Sequence, residues 1–437
     1  MQLKVSKFGG SSLADAAQFR KVHDIVMSDP SRRYVVPSAP GKRFSKDTKV
    51  TDMLYDCYER ASAGENIDDL FSRITKRYEE IIEGLGLDLD LKRDFELIKS
   101  SFYVNAGRDY AASRGEYLNG KILAKYLGYD FIDAADVVFF RADGSFDDDG
   151  TYDVLAEVLS QHKRAVIPGF YGSMPNDTIK TFSRGGSDIT GSIVARASGA
   201  SMYENWTDVS GFLMADPRII NDPHPIEYIT YHELRELSYM GATVLHEEAV
   251  FPVRKVGIPI NIRNTNKPEE KGTMIVTDYP EGVSPKNITG IAGKKGFSVV
   301  TIEKDMMNNE LGFGRRVLLA FERNGVSFEH LPSGIDTMSV VVSTKVIEDK
   351  KQQIIRDICE LVEPDHVSVE SGLALVAVVG RGMVQTKGTA SKIFSAVFEE
   401  GINIKMIDQG SSELNIIIGV SEDDFEKTMQ AIYKKFE

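Results

Sequence analysis

The chain has few of the features that would place it in a membrane or in an oxidising compartment. Its two cysteines, Cys57 and Cys359, are far apart and lack metal-ligand spacing, so neither a disulfide framework nor a metal site is expected. The longest apolar runs, such as Leu373–Val379, are about a third of a membrane span. The first residues, MQLKVSKFGG, enter an alternating strand pattern and lack the apolar core of a signal peptide. We therefore expect a cytoplasmic protein with no membrane partner.

A surplus of positive charge is also absent. The 52 Lys and Arg residues face 65 Asp and Glu residues, which gives a net charge of −13. Because nucleic-acid backbones are held by surplus Lys and Arg, we expect no nucleic-acid partner. A nucleotide site is still allowed, since it needs only a few local cations and backbone N–H groups. The 437 residues, 42% of them hydrophobic, are enough for two to four globular domains.

Over the first 270 residues, strand-like runs alternate with amphipathic stretches. The strand candidates are Leu3–Lys7, Tyr34–Ser38, Tyr129–Ile132, Ala165–Gly169, Ala200–Asn205 and Ile258–Asn261. The helix candidates are Ala14–Met27, Thr51–Ala61, Asp69–Gly84, Leu91–Asn105, Glu116–Leu127 and Gly150–Gln161. This alternation predicts an α/β domain with a mainly parallel sheet sandwiched by helices. Ligands bind such sheets beyond the carboxyl ends of the strands.

The pattern changes near residues 266–285, which are rich in Lys, Pro, Glu and Gly and predict a domain boundary. Two similar units follow, one beginning SVVTIEKDMM and the other ALVAVVGRGM. Each has a predicted strand, a loop, a helix, a glycine two residues before a strand, and a further strand. In the first unit, Val326–Glu329 is the predicted second strand. The repeat predicts a duplicated α+β unit of the βαββ type.

The segment KFGGSS, Lys7–Ser12, follows a strand and precedes a helix. Paired glycines let the backbone approach a phosphate, and the helix start offers free N–H groups. Lys7 adds a positive charge at the same end. The segment is not a Walker loop, because it lacks GxxxxGK[ST]. The alternative interpretation is a plain strand–turn–helix with an exposed lysine.

A second Gly-Gly turn before a helix occurs in RGGSDITGS, residues 184–192. Arg184 could grip a carboxylate bidentately, while Asp188 could be only a favourable charge at a helix start. In WTDVSGFLMADPR, residues 206–218, the TD and DPR pieces alone are common turn chemistry. In SRGEYLNGK, we expect Glu116 at the start of a helix, where it could likewise be only a dipole-favoured acid.

In this order, KFGGSS, RGGSD and TDVxGxxxADPR resemble the amino-acid kinase family, most closely the aspartate kinases. The duplicated tail resembles paired ACT domains, so the resemblance spans essentially the whole chain. It implies a kinase domain over residues 1–280 and a first ACT domain over 298–364. The second ACT domain would combine residues 286–297 with 365–437. The implied activity is ATP-dependent phosphorylation of the side-chain carboxylate of L-aspartate to 4-phospho-L-aspartate, a first step towards lysine, threonine and methionine.

The resemblance also implies roles for individual residues. The catalytic residues would be Lys7 and Asp188. The substrate-binding residues would be Ser38, Ala39, Thr51, Glu116, Phe170, Arg184 and Ser187. The ATP-binding residues would be Lys7, Gly9, Gly10, Ser11, Thr207, Asp208, Leu213, Asp216 and Arg218. The sequence departs from the family pattern where Thr243 replaces a common Lys, where Leu213 replaces a common Tyr, in VLHEEA, and at Pro37 before Ser38.

A carboxylate acceptor is already ionised at pH 7, so the reaction needs positioning and charge neutralisation instead of a general base. The expected cofactor is ATP with Mg²⁺, the metal being held mainly by the nucleotide phosphates. No dedicated protein metal site is expected.

In the tail, the resemblance implies an allosteric amino-acid site formed by Met307, Leu311, Gly312, Phe313, Val326, Ser327 and Glu329. An acid at the position of Glu329 favours lysine as the inhibitor, with threonine second. Assembly as a homodimer or a dimer of dimers through the ACT domains is also implied. Glu329 could instead be a plain surface residue in a dimerisation module. Two other functions stay open: another carboxylate amino-acid kinase, acting on glutamate or acetylglutamate, and a catalytically silent amino-acid sensor.

Overall fold

The computed structural model describes residues 2–183, 185–242, 245 and 247–437, with only the backbone of Glu247. The chain forms two compact units. The first comprises residues 1–212, 225–231 and 244–279, and the second comprises residues 213–224, 232–243 and 280–437.

The first unit is built on an eight-stranded sheet with the strand order β3-β4-β2-β1-β7-β9-β10-β8. Its strands are β1 Lys4–Phe8, β2 Arg32–Pro37, β3 Asp130–Phe131, β4 Ala165–Val166, β7 Met202–Thr207, β8 Tyr228–Thr230, β9 Ile260–Asn264 and β10 Thr273–Val276. All neighbouring pairs are parallel except β9 and β10. A separate hairpin joins β5 Tyr171–Ser173 to β6 Ile179–Thr181. The predicted mainly parallel α/β sheet is confirmed.

Helices of the first unit lie on both faces of this sheet. They are α1 Ala16–Met27, α2 Val50–Ser62, α3 Asp68–Leu85, α4 Lys92–Tyr103, α5 Arg108–Leu127, α6 Asp148–Gln161, α7 Gly186–Ala197 and α9 Glu247–Arg254. Phe8 of β1 packs in a core cluster with residues of α1 to α5. Its neighbour Lys7 pairs instead with Asp188 of α7. Because successive strand residues point to opposite faces, α7 lies on the other side of the sheet from that cluster.

Helix α8, Tyr231–Tyr239, starts at the last residue of the first unit, and its remainder belongs to the second. The second unit contains a five-stranded antiparallel sheet in the order β12-β11-β13-β15-β14. Its strands are β11 Gly290–Glu303, β12 Thr337–Ser343, β13 His366–Val379, β14 Met406–Asp408 and β15 Asn415–Ser421. Its other helices are α10 Phe313–Arg323, α11 Thr344–Ile347, α12 Lys351–Val362, α13 Thr389–Glu399 and α14 Phe425–Phe436.

Two long strands run through both halves of the second sheet. Gly290–Lys294 of β11 pairs with Leu375–Val379 of β13. Phe297–Glu303 pairs with β12 on one side and with residues 366–373 of β13 on the other. β11 and β13 therefore extend across the whole width of the second unit. They join β12 on one side to β15 and β14 on the other in a single sheet.

Two local expectations are wrong. The helix expected to begin at Glu116 begins at Arg108, so Glu116 lies inside α5. Gly115 lies inside the helix and lets α5 approach Ala39, since an added Cβ would come within 2.8 Å of the alanine methyl. Val326–Glu329 forms no strand: the contacts to β12 are a bridge from His330 to Val341 and a hydrogen bond from the Glu329 N–H to Val341.

Candidate active site

The ion pair between Lys7 and Asp188 lies at the carboxyl end of β1. Lys7 Nζ is 2.6 Å from Asp188 Oδ1, and Lys7 is 7% exposed. Asn205 of β7 donates a hydrogen bond of 2.8 Å to the same oxygen. Asp188 reaches this position because α7 begins after Gly185, whose positive φ of 59° turns the chain into the helix. The two predicted catalytic residues are therefore brought together, and a buried charge is fixed at the sheet edge.

The predicted glycine loop, the segment Lys7–Ser12, is held by backbone contacts on both sides. The Gly9 N–H donates to the Trp206 carbonyl at 3.0 Å, and the Gly41 N–H donates to the Gly10 carbonyl at 2.8 Å. A Cβ on Gly10 would lie 2.8 Å from the Ala39 carbonyl oxygen. Glycine is therefore needed at position 10 partly because a larger residue would collide with the segment that follows β2.

A cavity of about 550 Å³ opens beside this loop. Its lining includes seven of the predicted site residues: Gly10, Ser11, Ser38, Ala39, Thr51, Glu116 and Asp208. These residues follow β1, β2 and β7 or lie on α2 and α5. Because β2, β1 and β7 are adjacent parallel strands, their carboxyl ends share one edge of the sheet. The cavity thereby brings together residues predicted to bind ATP, such as Gly10 and Ser11, and residues predicted to bind the substrate, such as Ser38 and Glu116.

Glu116 is a buried carboxylate in this lining. It is 5% exposed, and its Oε2 has no hydrogen-bond partner among the described residues. Burial raises the pKa of Glu116 to about 8, although the Ala39 N–H and the charges of Lys7 and Arg114 favour the ionised form. A free, desolvated carboxylate oxygen is a strong partner for an ammonium group.

The segment after β4 carries a strained residue. Phe170 has a φ of 82°, and its N–H donates to Thr190 Oγ1 at 3.0 Å while its carbonyl accepts from the Phe182 N–H at 3.0 Å. Gly169 packs so closely on Ser187 that an added Cβ would lie 2.6 Å from the serine Cβ. Non-glycine residues at positive φ persist where the surroundings enforce them, often at functional sites.

Phe170 also lines a second cavity, of about 440 Å³, together with Arg108 and Lys180. Ser183, which precedes Arg184, is part of the same lining. Arg184 itself lies outside the described residues, and so does Thr243.

The predicted nucleotide-binding residues are divided between the two units. In the first, Thr207 Oγ1 donates to Asp208 Oδ1 at 3.2 Å, and Asp208 faces the larger cavity. In the second, Leu213 is exposed, and Asp216 and Arg218 form an ion pair of 2.6 Å. The hydrogen bonds from Arg218 lower the pKa of Asp216. A nucleotide bound by Arg218 would have to use N–H groups that Asp216 leaves free.

The sequence interpretation missed several residues around the site. Asn205 orients Asp188, and Lys42 and Lys49 line the larger cavity. Arg77, 3% exposed, donates to the carbonyls of Ala14 and Gly41. The run GKRFSKDTK, which follows the predicted substrate-binding residues Ser38 and Ala39, carries four basic residues. This cluster of positive charge could have indicated Lys42 and Lys49 from the sequence.

The predicted allosteric residues of the second unit differ in accessibility. Met307, Phe313 and Val326 are buried in one core cluster, so their side chains are not open to a ligand. Leu311 is 97% exposed, and Gly312 caps α10 with a φ of 77°. Ser327 is exposed and Glu329 is half-buried. A ligand at this group would therefore meet the side chains of Leu311, Ser327 and Glu329.

Glu329 accepts a short hydrogen bond from the Tyr239 hydroxyl of α8, within the second unit. Burial, together with the hydrogen bond to Glu329 and its negative charge, raises the pKa of Tyr239 to about 12. The neighbouring His330 lies 2.7 Å from an Asp408 carboxylate oxygen. The carboxylate of Glu329 is thus already engaged, and an ammonium ligand would have to share or displace the tyrosine.

Comparison with known proteins identifies the family. The model of the amino acid kinase family matches residues 2–264, and a model of the ACT domain matches residues 376–436. Aspartokinase 3 of Bacillus subtilis is 39% identical over 99% of this chain and 98% of its own length. The chain belongs to the aspartokinases of the amino acid kinase family.

Solved structures extend this assignment. The aspartate kinase of Clostridium acetobutylicum, described as an allosteric enzyme, is 53% identical with a TM-score of 0.92 over 100% of both chains. Aspartokinase III of E. coli, in complex with aspartate and ADP, is 25% identical with a TM-score of 0.74 over 99% of both chains. The same enzyme in complex with lysine and aspartate is 26% identical with a TM-score of 0.74 over 100% of both chains. This kinase therefore has the amino-acid kinase fold followed by C-terminal ACT structure.

Two observations concern the described residues only. No helix among them is long and apolar enough to cross a bilayer. No group of three or more His, Cys, Asp or Glu side chains among them is arranged to hold a metal ion.

Proposed function

We propose that this kinase transfers the terminal phosphoryl group of ATP to the side-chain carboxylate of L-aspartate, giving 4-phospho-L-aspartate and ADP. The observation that carries the proposal is the cavity in which the glycine loop and the buried Glu116 face the same space. The glycine loop suits a phosphate, and the free oxygen of Glu116 suits the ammonium of an amino-acid acceptor. Relatives that bind aspartate and ADP support the choice of substrates.

In the proposed reaction, a carboxylate oxygen of aspartate forms a bond to the γ-phosphorus. The bond from that phosphorus to the bridging oxygen breaks, and ADP leaves with the electron pair. No proton has to be removed, so a general base is unnecessary. Lys7 offsets the charge of the approaching anions, and Asp188 with Asn205 holds its ammonium in position. Glu116 orients the acceptor by its amino group, and we propose that Arg184 binds its α-carboxylate.

Mg²⁺ fits this site as an ion held by the nucleotide. It takes one or two protein carboxylates together with phosphate oxygens, so a protein cage is not needed. Asp208, an exposed carboxylate in the lining, is the residue that would hold it. When bound, the ion neutralises phosphate charge.

We further propose feedback inhibition by lysine at the site around Glu329, with threonine as the second candidate. The support is the half-buried Glu329 carboxylate and a relative that binds lysine. We keep the division into residues 1–280, 298–364, and 286–297 with 365–437 as part of this proposal. Assembly as a homodimer or dimer of dimers through the ACT domains belongs to it too, as does supply of product to lysine, threonine and methionine synthesis.

A coupled assay of ADP release tests the proposal. Aspartate, glutamate, acetylglutamate and no acceptor are compared, and the acyl phosphate is trapped with hydroxylamine. ADP release and hydroxamate formation should require aspartate. Equal turnover with glutamate or acetylglutamate would identify another carboxylate kinase, and no turnover with any acceptor would identify a silent sensor.

A further inference from the structure

The segment from Gly41 to Lys49, GKRFSKDTK, is here named the basic loop. It connects the residues after β2 to the start of α2 and carries Lys42, Arg43, Lys46 and Lys49 against one acid, Asp47. None of the roles inferred so far belongs to it. Its position beside the cavity raises the question of what its free charges bind.

The basic loop is tied down by a buried guanidinium. Arg77 Nη2 donates to the Gly41 carbonyl at 2.6 Å and to the Ala14 carbonyl, two residues after the glycine loop, at 3.0 Å. Arg77 Nη1 donates to Asp47 at 2.8 Å, and Arg43 Nε reaches the same carboxylate oxygen at 2.9 Å. Hydrogen bonds from Arg43, and then from Arg77, hold the pKa of Asp47 far below its usual range. The loop is thus fixed relative to the phosphate-binding backbone.

The backbones of the basic loop and the glycine loop are in direct contact. The Gly41 N–H donates to the Gly10 carbonyl, and an added Cβ on Gly41 would lie 2.7 Å from the Ser11 nitrogen. Lys42 therefore follows directly after the residue that contacts the glycine loop. Lys49 stands at the other end of the basic loop as the N-cap of α2.

The three lysines of the basic loop differ in direction. Lys42 and Lys49 line the cavity shared with Gly10, Ser11 and Glu116, whereas the lining does not include Lys46. Among the described residues, neither the Lys42 nor the Lys49 ammonium group has a hydrogen bond or an ion pair, so both are available to a ligand. Arg43, by contrast, is neutralised by Asp47.

We propose that Lys42 and Lys49 bind the donor's terminal phosphates and neutralise the phosphoryl group in transit. Arg77 and Asp47 act as positioning residues that hold these lysines over the cavity. The inference rests on the proposed phosphoryl transfer and assigns a second cationic arm to the same site. Lys7 is in an ion pair with Asp188, so two unpaired ammonium groups beside the glycine loop supply the extra charge that bringing two anions together requires.

The test compares the double variant Lys42→Ala/Lys49→Ala with Lys46→Ala, a lysine of the same loop outside the lining. We expect the double variant to raise the KM for ATP, and the Kd for ADP measured calorimetrically without acceptor, by about tenfold or more. Its kcat should fall as well, since the charge also stabilises the transition state. Lys46→Ala should stay within about twofold of the wild type, and Lys42→Arg/Lys49→Arg should recover most of the ADP affinity because the charge is kept.

Asp47→Asn tests the positioning role. Loss of its charge should weaken ADP binding in the same direction as the double variant, and the effect should shrink when Lys42 and Lys49 are already alanine. Equal effects in both backgrounds would mean that Asp47 acts on the fold alone, and would overturn the positioning role.

The outcomes separate this inference from the proposed function. If the double variant changes only the KM for aspartate, the lysines bind the acceptor's α-carboxylate, and the phosphate assignment is wrong. If it behaves like Lys46→Ala while the wild type phosphorylates aspartate, the basic loop has no role and the proposed function stands. If the wild type releases no ADP with any acceptor, the proposed function fails. ADP titration of the variants then still decides whether the lysines bind phosphates.

Discussion

The ammonium of Lys7 and the carboxylate of Asp188 lie 2.6 Å apart, on the strand β1 and the helix α7, which are far apart in the sequence. Asn205 donates to the same carboxylate oxygen, so the carboxylate that pairs with the lysine is itself held by a second partner. Lys7 is nearly buried, which strengthens its field towards an anion in the neighbouring cavity. This pair is therefore the electrostatic centre of the proposed transfer.

Replacing Lys7 by alanine should lower kcat by far more than about tenfold, because the main fixed positive charge at the glycine loop is lost. Steady-state kinetics and thermal unfolding should be measured together. Lys4→Ala is the matched control, since Lys4 lies on the same strand and pairs with Asp29. A loss of kcat below about tenfold in Lys7→Ala, with Tm retained, would contradict the neutralising role.

Glu116 predicts a pH dependence of acceptor binding. Because its pKa is raised to about 8, the free enzyme gains the carboxylate charge only as pH rises towards that value. Between about pH 6 and pH 9, kcat/KM for aspartate should therefore rise, and Glu116→Gln should abolish that rise and increase the KM for aspartate. A wild-type profile with no rise, or a Glu116→Gln profile that keeps it, would show that Glu116 does not pair with the acceptor ammonium.

The same group predicts the sign of a stability effect. A folded-state pKa raised from 4.5 to about 8 means that the protonated form is favoured by folding. The stabilisation relative to the ionised form is complete below about pH 4.5 and is lost as pH rises to about 8. As pH rises from about 4.5 to about 8, the Tm of the wild type should therefore fall relative to the Tm of Glu116→Gln. Glu96→Gln, on an exposed position of α4, is the control that should show no such trend.

Two neighbouring glycines should respond differently to alanine. A Cβ on Gly10 would lie 2.8 Å from the Ala39 carbonyl oxygen, which must then move, so Gly10→Ala should cost about 1–3 kcal/mol in the free energy of unfolding. A Cβ on Gly9 would lie 3.6 Å from Lys7 Nζ and from the Trp206 carbonyl, an ordinary contact. Gly9→Ala should keep its unfolding midpoint in urea, with any effect confined to the KM for ATP. Equal destabilisation by both changes would refute the packing argument.

Lysine inhibition should respond to the contact between Tyr239 and Glu329. Glu329→Ala removes the carboxylate proposed to bind the inhibitor's ammonium, and should raise the inhibitory lysine concentration by about tenfold or more. Tyr239→Phe removes the hydroxyl that donates to the Glu329 carboxylate, and should lower the inhibitory lysine concentration several-fold. Inhibition curves and calorimetric titrations with lysine and with threonine check both. An unchanged lysine response in Glu329→Ala would remove this residue from the site.

The local sequence predicted most of the strands and helices of the first unit and the kind of ligand that its glycine turns suit. Strands followed by Gly-Gly turns and helix starts predicted where anions bind, because backbone N–H groups and the absence of Cβ are properties of the local chain. Alternating strand and helix patterns predicted the parallel sheet. The order of the short motifs indicated the family, which the comparisons confirmed.

Only the tertiary structure decided which residues meet. The strand order β2-β1-β7 joins segments far apart in the chain at one sheet edge, so the contacts of Lys7 and Asn205 with Asp188 could not be read from spacing. Glu116 was expected at a helix start, but the helix begins at Arg108, and Gly115 packs against Ala39 inside it. The buried Arg77 holds Gly41 and Asp47 of the basic loop, a contact across 30 or more residues that the sequence pattern does not indicate. Helix and strand propensity and short motifs are properties of the local sequence. The burial of a side chain, its charge partner and the direction in which it points depend on residues that are distant in the sequence and that the fold brings close.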